Sequence, residues 1–368
     1  MNQSQYCLLY KSNPEIYQSA KNKSRDKEKE SNKSNNSFWK QFQWTEQDSN
    51  KAEKELSESL SKCDIAENAP AGRGQFFINK LEKEAGLNWD KFYSSHQTNF
   101  FKDRHYLEKA FPDEFGIVYG NSSSSLQHQT SHEGNGTAAD IVDGDNFTIA
   151  ECGCGVGNTV LPLLELDPVM YVTDCTKQRV AKKNLVVLGF DFSSIAIELL
   201  QQDARYIKAK NENRSNAAVW DITRTPPKDV MANFEGMTDI SLLLFCLSAI
   251  SPGEAMRNAA RHVAQTLKPG GTLIFRDYGR YDEAQMKLGK SRAKRIGENF
   301  YVKHDGTRCY YFELKDLEGL FGPNGVGGLE VLELKYIQRE YSNRSSDTVR
   351  RRIWVQGRFR KPIPNQIY

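Results

Sequence analysis

The residues with the clearest chemical meaning form a glycine-rich stretch near the middle of the chain. Residues 151–158 read ECGCGVGN, so glycine recurs at every second position after an apolar run. Glycine lets a backbone approach a bound molecule where the Cβ atom of another residue would collide with it. At the carboxyl end of the first strand of an open α/β sheet, such a loop lines the ligand crevice. The stretch therefore predicts a binding loop for a nucleotide-like ligand, and a turn without a ligand is the alternative.

The residues around these glycines distinguish between two classes of ligand. A dinucleotide-binding loop places a small residue three positions after its second glycine, where helix and strand pack closely. Here Asn158 stands three residues after Gly155, and Glu151 precedes the first glycine. An acid followed by three alternate glycines is typical of methyltransferases that use S-adenosylmethionine. A nicotinamide-dependent dehydrogenase is therefore the weaker interpretation, and Gly155 is predicted to contact S-adenosylmethionine.

Two aspartates compete for the position that binds a ribose at the end of the second strand. In dinucleotide-binding relatives this acid lies about 20 residues beyond the loop, and Asp174 comes nearer to that spacing than Asp191. Asp191, however, ends the strand-like run NLVVLGFD and is followed at once by serines that can cap a helix. Local context therefore favours Asp191, and residues 169–183 are interpreted as an insertion. For either aspartate, a capping or turn role is the alternative.

The ends of the next two strands supply candidates for contact with an adenine. Asp221, in AVWDIT, ends the third predicted strand, where it is placed with Ile222 to meet the adenine amino group. Leu244 and Phe245, on the fourth strand, are placed to flank the ring. Packing in the hydrophobic core explains Leu244 equally well.

These residues belong to a regular series of strands and helices. Apolar runs such as NFTIAECGCG, TDISLLLFCLSAIS and TLIFRDYG alternate with helical patterns, which predicts a parallel sheet with helices on both faces. Residues 328–341 and 348–362 show the alternation of an antiparallel pair. The predicted fold class is α/β, a class I Rossmann-like methyltransferase with a seven-stranded, mostly parallel sheet, a terminal antiparallel hairpin and a helical N-terminal extension.

Two helices are predicted in some detail. Residues 193–210 read as one helix. A second, amphipathic helix starts at Phe76 and has the three-to-four spacing of apolar residues that a buried helix face requires. Its apolar positions include Phe77, Leu81, Leu87 and Phe92.

Several longer stretches are more specific than the glycine loop. They are NWDKFYSSHQTNFFKDRHYLEKAFPDEF, ECGCGVGNTVLPLLELDP, GFDFSSIAIELL, LLFCLSAISP, LKPGGTLIFRDYGRYDEAQ and GENFYVKHDGTRCYYF. In these stretches, which span most of residues 88–312, the sequence resembles the eukaryotic tRNA 3-methylcytidine methyltransferases, which act on cytidine 32 of the anticodon loop. FFKDRH and NFYVKHDGTR carry most weight because they are not general features of Rossmann-like folds. The Trp-rich FWKQFQWTEQ near residue 40 resembles the N-terminal element of cytosolic family members.

The resemblance implies a set of site residues. It implies that S-adenosylmethionine is bound by Trp89, Tyr93, Arg104, Gly153, Asp191, Asp221 and Leu244. It places the ribose-binding acid in the DFS stretch, which selects Asp191 over Asp174, and Arg104 is assigned to the catalytic residues as well. The chain departs from the family pattern at residues 120–146 and between Pro168 and Asn184. Both departures fall in connections and bear on substrate selection more than on catalysis.

The fifth strand ends in FRDYG, beside the expected position of the transferred methyl group. Cytosine N3 already offers a lone pair, so alignment and stabilisation of the cationic product ring matter more than a strong base. We predict that Asp277 accepts a hydrogen bond from the exocyclic amine and that Tyr278 orients the ring. The alternative is that Asp277 only fixes its loop through Arg276 or Arg280.

The end of the fourth strand bears on which atom is methylated. It reads FCLS and lacks both the Asp/Asn-Pro-Pro-aromatic pattern of exocyclic amine methylation and the Pro-Cys pattern of carbon-5 methylation. This favours a ring nitrogen, which must be unpaired and splayed out to reach the site.

Clustered basic residues predict where RNA binds, since the formal net charge is only +3. One cluster lies within residues 286–308 and the other within residues 344–361. A solvated charged face is the alternative for each. The predicted RNA-binding residues are Lys290, Arg292, Arg308, Arg351 and Arg352. The predicted partners are the anticodon loop of tRNA and, as the resemblance implies for some family members, an aminoacyl-tRNA synthetase or another helper protein.

Composition limits the other possibilities. Apolar runs stay well below the roughly 20 residues of a membrane span, and the seven cysteines form no CxxC pair or metal-like cluster. We therefore expect reduced thiols, no metal, no membrane segment and a cytoplasmic or nuclear location. The predicted organisation is a disordered N-terminus at 1–36, a helical region at 37–115 that contacts tRNA and caps the cofactor, a low-complexity insertion at 116–146 and a methyltransferase domain at 147–364.

Two further functions are weighed against tRNA methylation. A non-catalytic tRNA-binding subunit that activates a partner is disfavoured by intact Gly153, Asp191, Asp221 and Asp277. A small-molecule methyltransferase is disfavoured by the basic clusters and by the FFKDRH and NFYVKHDGTR matches.

Overall fold

The computed structural model describes residues 39–61, 71–118, 141–143, 146–174, 179–226, 236–343 and 348–364. The predicted disordered segment 1–36 lies outside the described residues, as does most of the predicted insertion 116–146. The chain divides into two compact units. The larger comprises residues 44–337 and 353–368, and the smaller comprises residues 1–43 and 338–352.

Thirteen strands are described in these segments. They are β1 (Trp39–Gln41), β2 (Ile141–Asp143), β3 (Phe147–Cys152), β4 (Val169–Asp174), β5 (Arg179–Asp191), β6 (Ser215–Val219), β7 (Thr238–Leu244), β8 (Leu267–Tyr278), β9 (Arg295–Gly297), β10 (Phe300–Val302), β11 (Arg308–Tyr310), β12 (Glu330–Asn343) and β13 (Thr348–Arg360).

Seven of these strands form the central sheet, in the order β6–β5–β3–β7–β8–β13–β12. The first five run parallel, and β13 is antiparallel to β8. The central strands β3 and β7 are covered on both faces, which explains why their sequences are nearly continuous apolar runs. The predicted seven-stranded, mostly parallel sheet with a closing strand pair is confirmed.

Strand β5 extends beyond the central sheet at its N-terminal end. There Arg179–Asn184 pairs antiparallel with β4, and residues 180–182 pair parallel with β2. The rest of β5 joins β3 and β6. In the segment 169–183, interpreted from the sequence as an insertion, the described residues 169–174 and 179–183 thus form an antiparallel strand pair at the N-terminal end of the second core strand.

Eleven α-helices are described. They are α1 (Glu46–Ser61), α2 (Ala71–Lys83), α3 (Ala85–His96), α4 (Leu107–Ala110), α5 (Pro112–Val118), α6 (Val160–Leu164), α7 (Ser194–Gln201), α8 (Ala204–Asn211), α9 (Glu254–Thr266), α10 (Glu283–Gly289) and α11 (Leu314–Phe321). Helices α9 and α11 contribute to the core on one face of the sheet, and α4 to α8 contribute to the core on the other. None of the described helices has the length and apolar character that crossing a membrane requires.

Both detailed helix predictions are wrong in their boundaries. The helix predicted for residues 193–210 is two helices, because the side chain of Asp203 accepts a hydrogen bond from Arg205 N and begins α8. The amphipathic helix predicted from Phe76 is divided between α2 and α3. Phe77 and Leu87, assigned to its apolar positions, are 43% and 58% exposed.

Outside the central sheet, β9, β10 and β11 form a small antiparallel sheet, and the NFYVKHDGTR motif supplies β10, the turn that follows it and the first residue of β11. In the smaller unit, β1 pairs antiparallel with the outer part of β12 through Trp39–Gln41 and Arg339–Tyr341. The Trp-rich segment near residue 40 is therefore a short edge strand.

Candidate active site

The glycine loop follows β3 and is held in backbone conformations that favour glycine. Gly153 and Gly155 have φ angles of +77° and +55°. A Cβ atom on Gly155 would lie 2.6 Å from the Tyr93 hydroxyl oxygen, and one on Gly153 would collide with the side chain of Cys246. Packing against the protein and backbone conformation therefore both require glycine at these positions.

Asp191 lies beside this loop, at the end of the neighbouring strand β5. Its carboxylate accepts hydrogen bonds from Gly155 N at 2.7 Å and Ser193 N at 2.9 Å. Burial raises the pKa of Asp191 to about 6, although these N–H donors oppose the change. Asp174 instead ends β4 in the hairpin extension, in register with Arg179. The structure thus brings Asp191, and not Asp174, to the glycine loop.

Glu151, the acid before the first glycine, is completely buried. Its Oε1 atom accepts hydrogen bonds from Arg104 Nη1 and from Thr159 Oγ1, both at 2.8 Å. Within the described part of the chain, its Oε2 atom is buried and has no hydrogen-bond partner. Burial raises the pKa of Glu151 to about 7, and the charge of Arg104 only partly opposes this.

The FFKDRH segment is fastened to the same loop. Arg104 N donates to Asn158 O at 2.7 Å. The Asn158 side chain donates to Phe101 O at 3.1 Å and to Asp103 Oδ1 at 3.2 Å. Asn158, which distinguishes this loop from a dinucleotide-binding loop, therefore holds the segment that carries Arg104.

Helix α3 carries Trp89 and Tyr93, whose rings stack with centroids 5.8 Å apart. Burial raises the pKa of Tyr93 well above its ordinary value, so this hydroxyl is neutral. Ser193 Oγ donates to Asp90 at 2.5 Å, which ties α3 to the start of α7 beside Asp191. The two aromatic residues predicted to contact the cofactor thus lie on a helix linked to the predicted ribose-binding acid.

Three of the four residues predicted near the adenine, Asp221, Ile222 and Leu244, lie in different surroundings. Asp221 follows β6 and accepts hydrogen bonds from Thr223 N at 3.0 Å and Thr223 Oγ1 at 2.7 Å, while Ile222 is buried. Leu244 is 1% exposed and packs in the hydrophobic core. The structure thus shows the core packing that was the alternative for Leu244, and its contact with a ligand stays a prediction.

Asp277 is completely buried at the end of β8. Its carboxylate accepts hydrogen bonds from Ser248 N at 2.9 Å and Tyr278 N at 2.8 Å, and burial raises its pKa to about 6. Asp277 therefore fixes the turn at Leu247–Ala249. Arg276 and Arg280, which the alternative interpretation made its partners, instead contact Gln356 and the pair Glu53 and Glu313, respectively.

Phe245 contacts both Arg104, beside the glycine loop, and Tyr278, at the end of β8. It has a φ angle of +57°, a strained conformation for a residue with a bulky side chain. The Phe245 ring centroid lies 5.2 Å from the ring centroid of Tyr278 and 5.8 Å from the guanidinium carbon of Arg104. The structure therefore brings together Arg104 and Tyr278, two of the three predicted catalytic residues, around one aromatic ring.

The predicted RNA-binding residues do not share one environment. Lys290 is exposed, and the side chain of Arg292 lies outside the described part. Arg308 is only 7% exposed, pairs with Glu82 and donates to Ser251 Oγ at 2.7 Å. Its assignment to an open basic surface is therefore corrected, because this guanidinium is committed to contacts inside the larger unit.

In the smaller unit, Arg351 remains accessible. Its side chain is 56% exposed, Nε contacts Glu340 at 3.0 Å, and the guanidinium carbon lies 5.4 Å from the Phe42 ring centroid. Arg352 is partly buried. Both residues lie on β13.

Sequence reasoning missed three contributors to the site. It did not identify the pairing of Glu151 with Arg104 and Thr159, or the central position of Phe245. It also placed Lys303 only in a basic cluster, and did not identify that its Nζ lies 5.7 Å from the Tyr278 ring centroid. The available signal was the presence of charged residues among the apolar residues of NFYVKHDGTR, a motif of which residues 299–302, Thr307 and Arg308 are buried.

Comparison with known proteins shows which sequences this chain is similar to. A family model described as a methyltransferase domain matches residues 135–331. The tRNA N(3)-cytidine methyltransferase METTL2 of Xenopus tropicalis is 34% identical over 350 residues, covering 89% of this chain and 90% of the relative. The tRNA N(3)-methylcytidine methyltransferase Mettl2 of Drosophila melanogaster is 32% identical and covers 88% and 83%, respectively. The human tRNA N(3)-cytidine methyltransferase METTL6 is 34% identical and covers 79% and 85%. The chain therefore belongs to the family of the tRNA N(3)-cytidine methyltransferases.

Proposed function

We propose that this protein transfers a methyl group from S-adenosylmethionine to N3 of cytidine in tRNA. The observation that carries the proposal is the attachment of the family-specific FFKDRH segment to the glycine loop. Through Asn158 and the Arg104–Glu151 pair, this segment forms one wall of the same site. The names of the relatives supply the acceptor nucleoside, and membership of the family supplies the reaction class.

The residues present fit S-adenosylmethionine. The buried Oε2 atom of Glu151 lacks a protein partner within the described residues, so a hydrogen-bond donor from a ligand would satisfy it. Asp191 is placed to hold ribose hydroxyls, Asp221 and Ile222 to meet the adenine, and Trp89 and Tyr93 to cover the site from α3. When bound, S-adenosylmethionine supplies an electrophilic methyl group on a sulfonium sulfur.

On the acceptor side, the side chains of the protein orient the base and stabilise charge. Tyr278 and Phe245 offer aromatic faces for the flat ring of cytosine. Asp277 holds Tyr278 and the Leu247–Ala249 turn in place. Its carboxylate also favours the positive charge that appears on the ring when N3 is methylated. Since N3 carries a lone pair, these residues need only align it and exclude water.

We place the target in an unpaired loop, at cytidine 32 of the anticodon loop, because N3 is engaged in base pairing within a helix. The exposed Lys290 and Arg351 supply phosphate contacts. A helper protein, such as an aminoacyl-tRNA synthetase, is part of this proposal, as the family resemblance implies for some members. Comparing the purified chain with and without total cell extract tests whether it acts alone.

The direct experiment is transfer of a labelled methyl group to total tRNA, followed by mass spectrometry of the nucleosides. We expect 3-methylcytidine, and we expect Asp191→Ala to abolish its formation while Asp167→Ala, in the connection after α6, leaves it unchanged. Label at cytosine carbon 5 or on the exocyclic amine would contradict the assignment to N3. Label in small metabolites with none in tRNA would instead indicate a small-molecule methyltransferase.

A further inference from the structure

Lys303 is a cation in the acceptor half of the site that the chemistry above does not use. It follows β10 in the NFYVKHDGTR motif and is partly buried. Its Nζ atom lies 5.7 Å from the centroid of the Tyr278 ring, within the range of a cation–π contact. Burying part of a lysine side chain away from water is costly unless its charge has partners. Groups that stabilise the charge of Lys303 are therefore expected nearby.

The turn that carries Lys303 is tightly defined. Lys303 N donates to Thr307 O at 2.8 Å. Asp305 accepts hydrogen bonds from Thr307 N at 2.9 Å and from Thr307 Oγ1 at 2.7 Å. The Asn88 amide donates to Gly306 O at 3.3 Å, directly before Trp89 on α3. The Lys303 ammonium is thus carried by a turn that is held by hydrogen bonds within the turn and by a hydrogen bond from Asn88 of α3.

Two carboxylates act electrostatically on this ammonium. Asp277, at the end of β8, interacts electrostatically with Lys303, and so does Asp305 in the turn itself. The other titratable groups near them are the Tyr278 phenol and the thiols of Cys246 and Cys309. Burial raises the pKa of the Cys309 thiol to about 12 and that of Cys246 well above its ordinary value, so both thiols are neutral near pH 7.

We propose that Lys303 is a positioning residue for the acceptor pocket, which holds the Tyr278 ring by its charge and keeps the buried carboxylate of Asp277 ionised before the base arrives. This inference rests on the proposed methyl transfer. Burial opposes ionisation of Asp277, the hydrogen bonds from Ser248 and Tyr278 favour it, and the positive charge of Lys303 favours it further. For Lys303 itself, burial lowers the pKa, whereas Cys309, Tyr278, Asp305 and Asp277 raise it, and the pKa is raised overall. Lysine and carboxylate therefore sustain each other's charge, and the ionised carboxylate then favours the cationic product ring.

The test is the pH profile of kcat/KM for tRNA methylation between pH 6.0 and 8.5, at saturating S-adenosylmethionine. For each variant, the ratio to the unmodified protein is taken at every pH, because titration of Glu151 and Asp191 then cancels. For Lys303→Met we expect this ratio to fall by about fivefold from pH 8.5 to pH 6.0, which corresponds to a rise of one pH unit in the pKa of Asp277 from its value of about 6. Lys303→Arg should keep the ratio constant, and so should Lys210→Met, which removes an exposed lysine of α8.

Asp305→Asn tests the same idea with the opposite sign. Removing the negative charge of Asp305 leaves the positive charge of Lys303 to stabilise the Asp277 carboxylate alone. The pKa of Asp277 should then fall, and the acidic limb of the kcat/KM profile should move to lower pH. This variant keeps the inference falsifiable if Lys303→Met does not fold. A ratio for Lys303→Met that is reduced equally at all pH values would show a merely structural or RNA-binding role and overturn the inference. If the unmodified protein methylates no tRNA, the proposed function fails instead, which the same assay shows directly.

Discussion

The glycine-loop region and residues 348–352 of β13, referred to below as the outer part of β13, both contain an arginine that pairs with a glutamate, but the two pairs differ in burial. At the glycine loop, the side chains of Arg104 and Glu151 are 15% and 1% exposed and form a pair in the interior. On β13, the Arg351 side chain is 56% exposed and its pair with Glu340 lies at the surface. Losing one partner of a buried pair costs about 3–5 kcal/mol, whereas an exposed pair contributes about 0–1 kcal/mol. Charge therefore builds the site in the first region and stays available to a partner in the second.

Arg308 shows why burial, and not residue type, decides between these roles. It stands in a basic stretch of sequence, yet its guanidinium is buried against Glu82 and Ser251. In energetic terms it belongs with Arg104 and not with Arg351. A count of basic residues along the chain cannot make this distinction.

The largest effect that we predict comes from Gly155→Ala in the buried region. The substitution places a Cβ atom 2.6 Å from the Tyr93 hydroxyl oxygen and forces a left-handed backbone on alanine. We expect affinity for S-adenosylmethionine to fall by about 100-fold or more, which corresponds to about 3 kcal/mol. Isothermal titration calorimetry measures this loss.

Gly319→Ala is the matched control for this variant. Gly319 lies within α11, and a Cβ atom there would meet no atom within 4 Å. We expect unchanged affinity, and a small gain in stability because alanine favours a helix. Equal affinities for the two variants would show that the conformation of the glycine loop is not what binds the cofactor.

A second prediction tests the cost of burying Glu151. Its pKa is about 7 in the folded protein and 4.5 ordinarily. Between these values the folded form keeps a proton that the unfolded form has lost, so the free energy of unfolding falls as pH rises from 4.5 to 7. We expect Glu151 to account for about 1–3 kcal/mol of this fall. Glu151→Gln should remove that part and leave the smaller contributions of Asp191 and Asp277, whose pKa values burial also raises.

Urea unfolding of the ligand-free protein at pH 5.0 and pH 7.5 provides the measurement. Glu254→Gln, at a glutamate whose side chain is 70% exposed, serves as the control and should show the pH dependence of the unmodified protein. If Glu151→Gln shows that same dependence, the buried carboxyl is not the origin of the effect.

The same comparison explains how far the sequence alone predicts the molecule. The strands β3 and β7 are predictable because burial on both faces leaves a continuous apolar run. Asp191 was identified from local context, since the residues that follow it cap a helix and Ser193 does accept a hydrogen bond from Ala196 N. These features depend on neighbours along the chain, and local patterns report them.

Features that depend on distant partners were not predictable in this way. Arg104 and Glu151 are separated by 47 residues, and neither residue type nor periodicity encodes their contact. Leu244 was equally compatible with a ligand and with the core, because burial gives the same apolar signature in both cases. The family resemblance supplied the predicted site positions but not which side chains contact one another.

The smallest predicted effect concerns the exposed region. Replacing both Arg351 and Arg352 with alanine should weaken tRNA binding several-fold at moderate salt and leave affinity for S-adenosylmethionine unchanged. If both contact phosphates, the slope of log affinity against log salt should fall by about 2. Filter binding of tRNA over a range of salt concentrations gives both values. Arg308→Ala is the control, because its loss should lower the free energy of unfolding and leave the salt slope unaltered. Equal tRNA affinity of the double variant and the unmodified protein at low salt would remove the outer part of β13 from the RNA-binding surface. A changed slope for Arg308→Ala would show that the distinction between buried and exposed arginines does not predict which of them meet RNA.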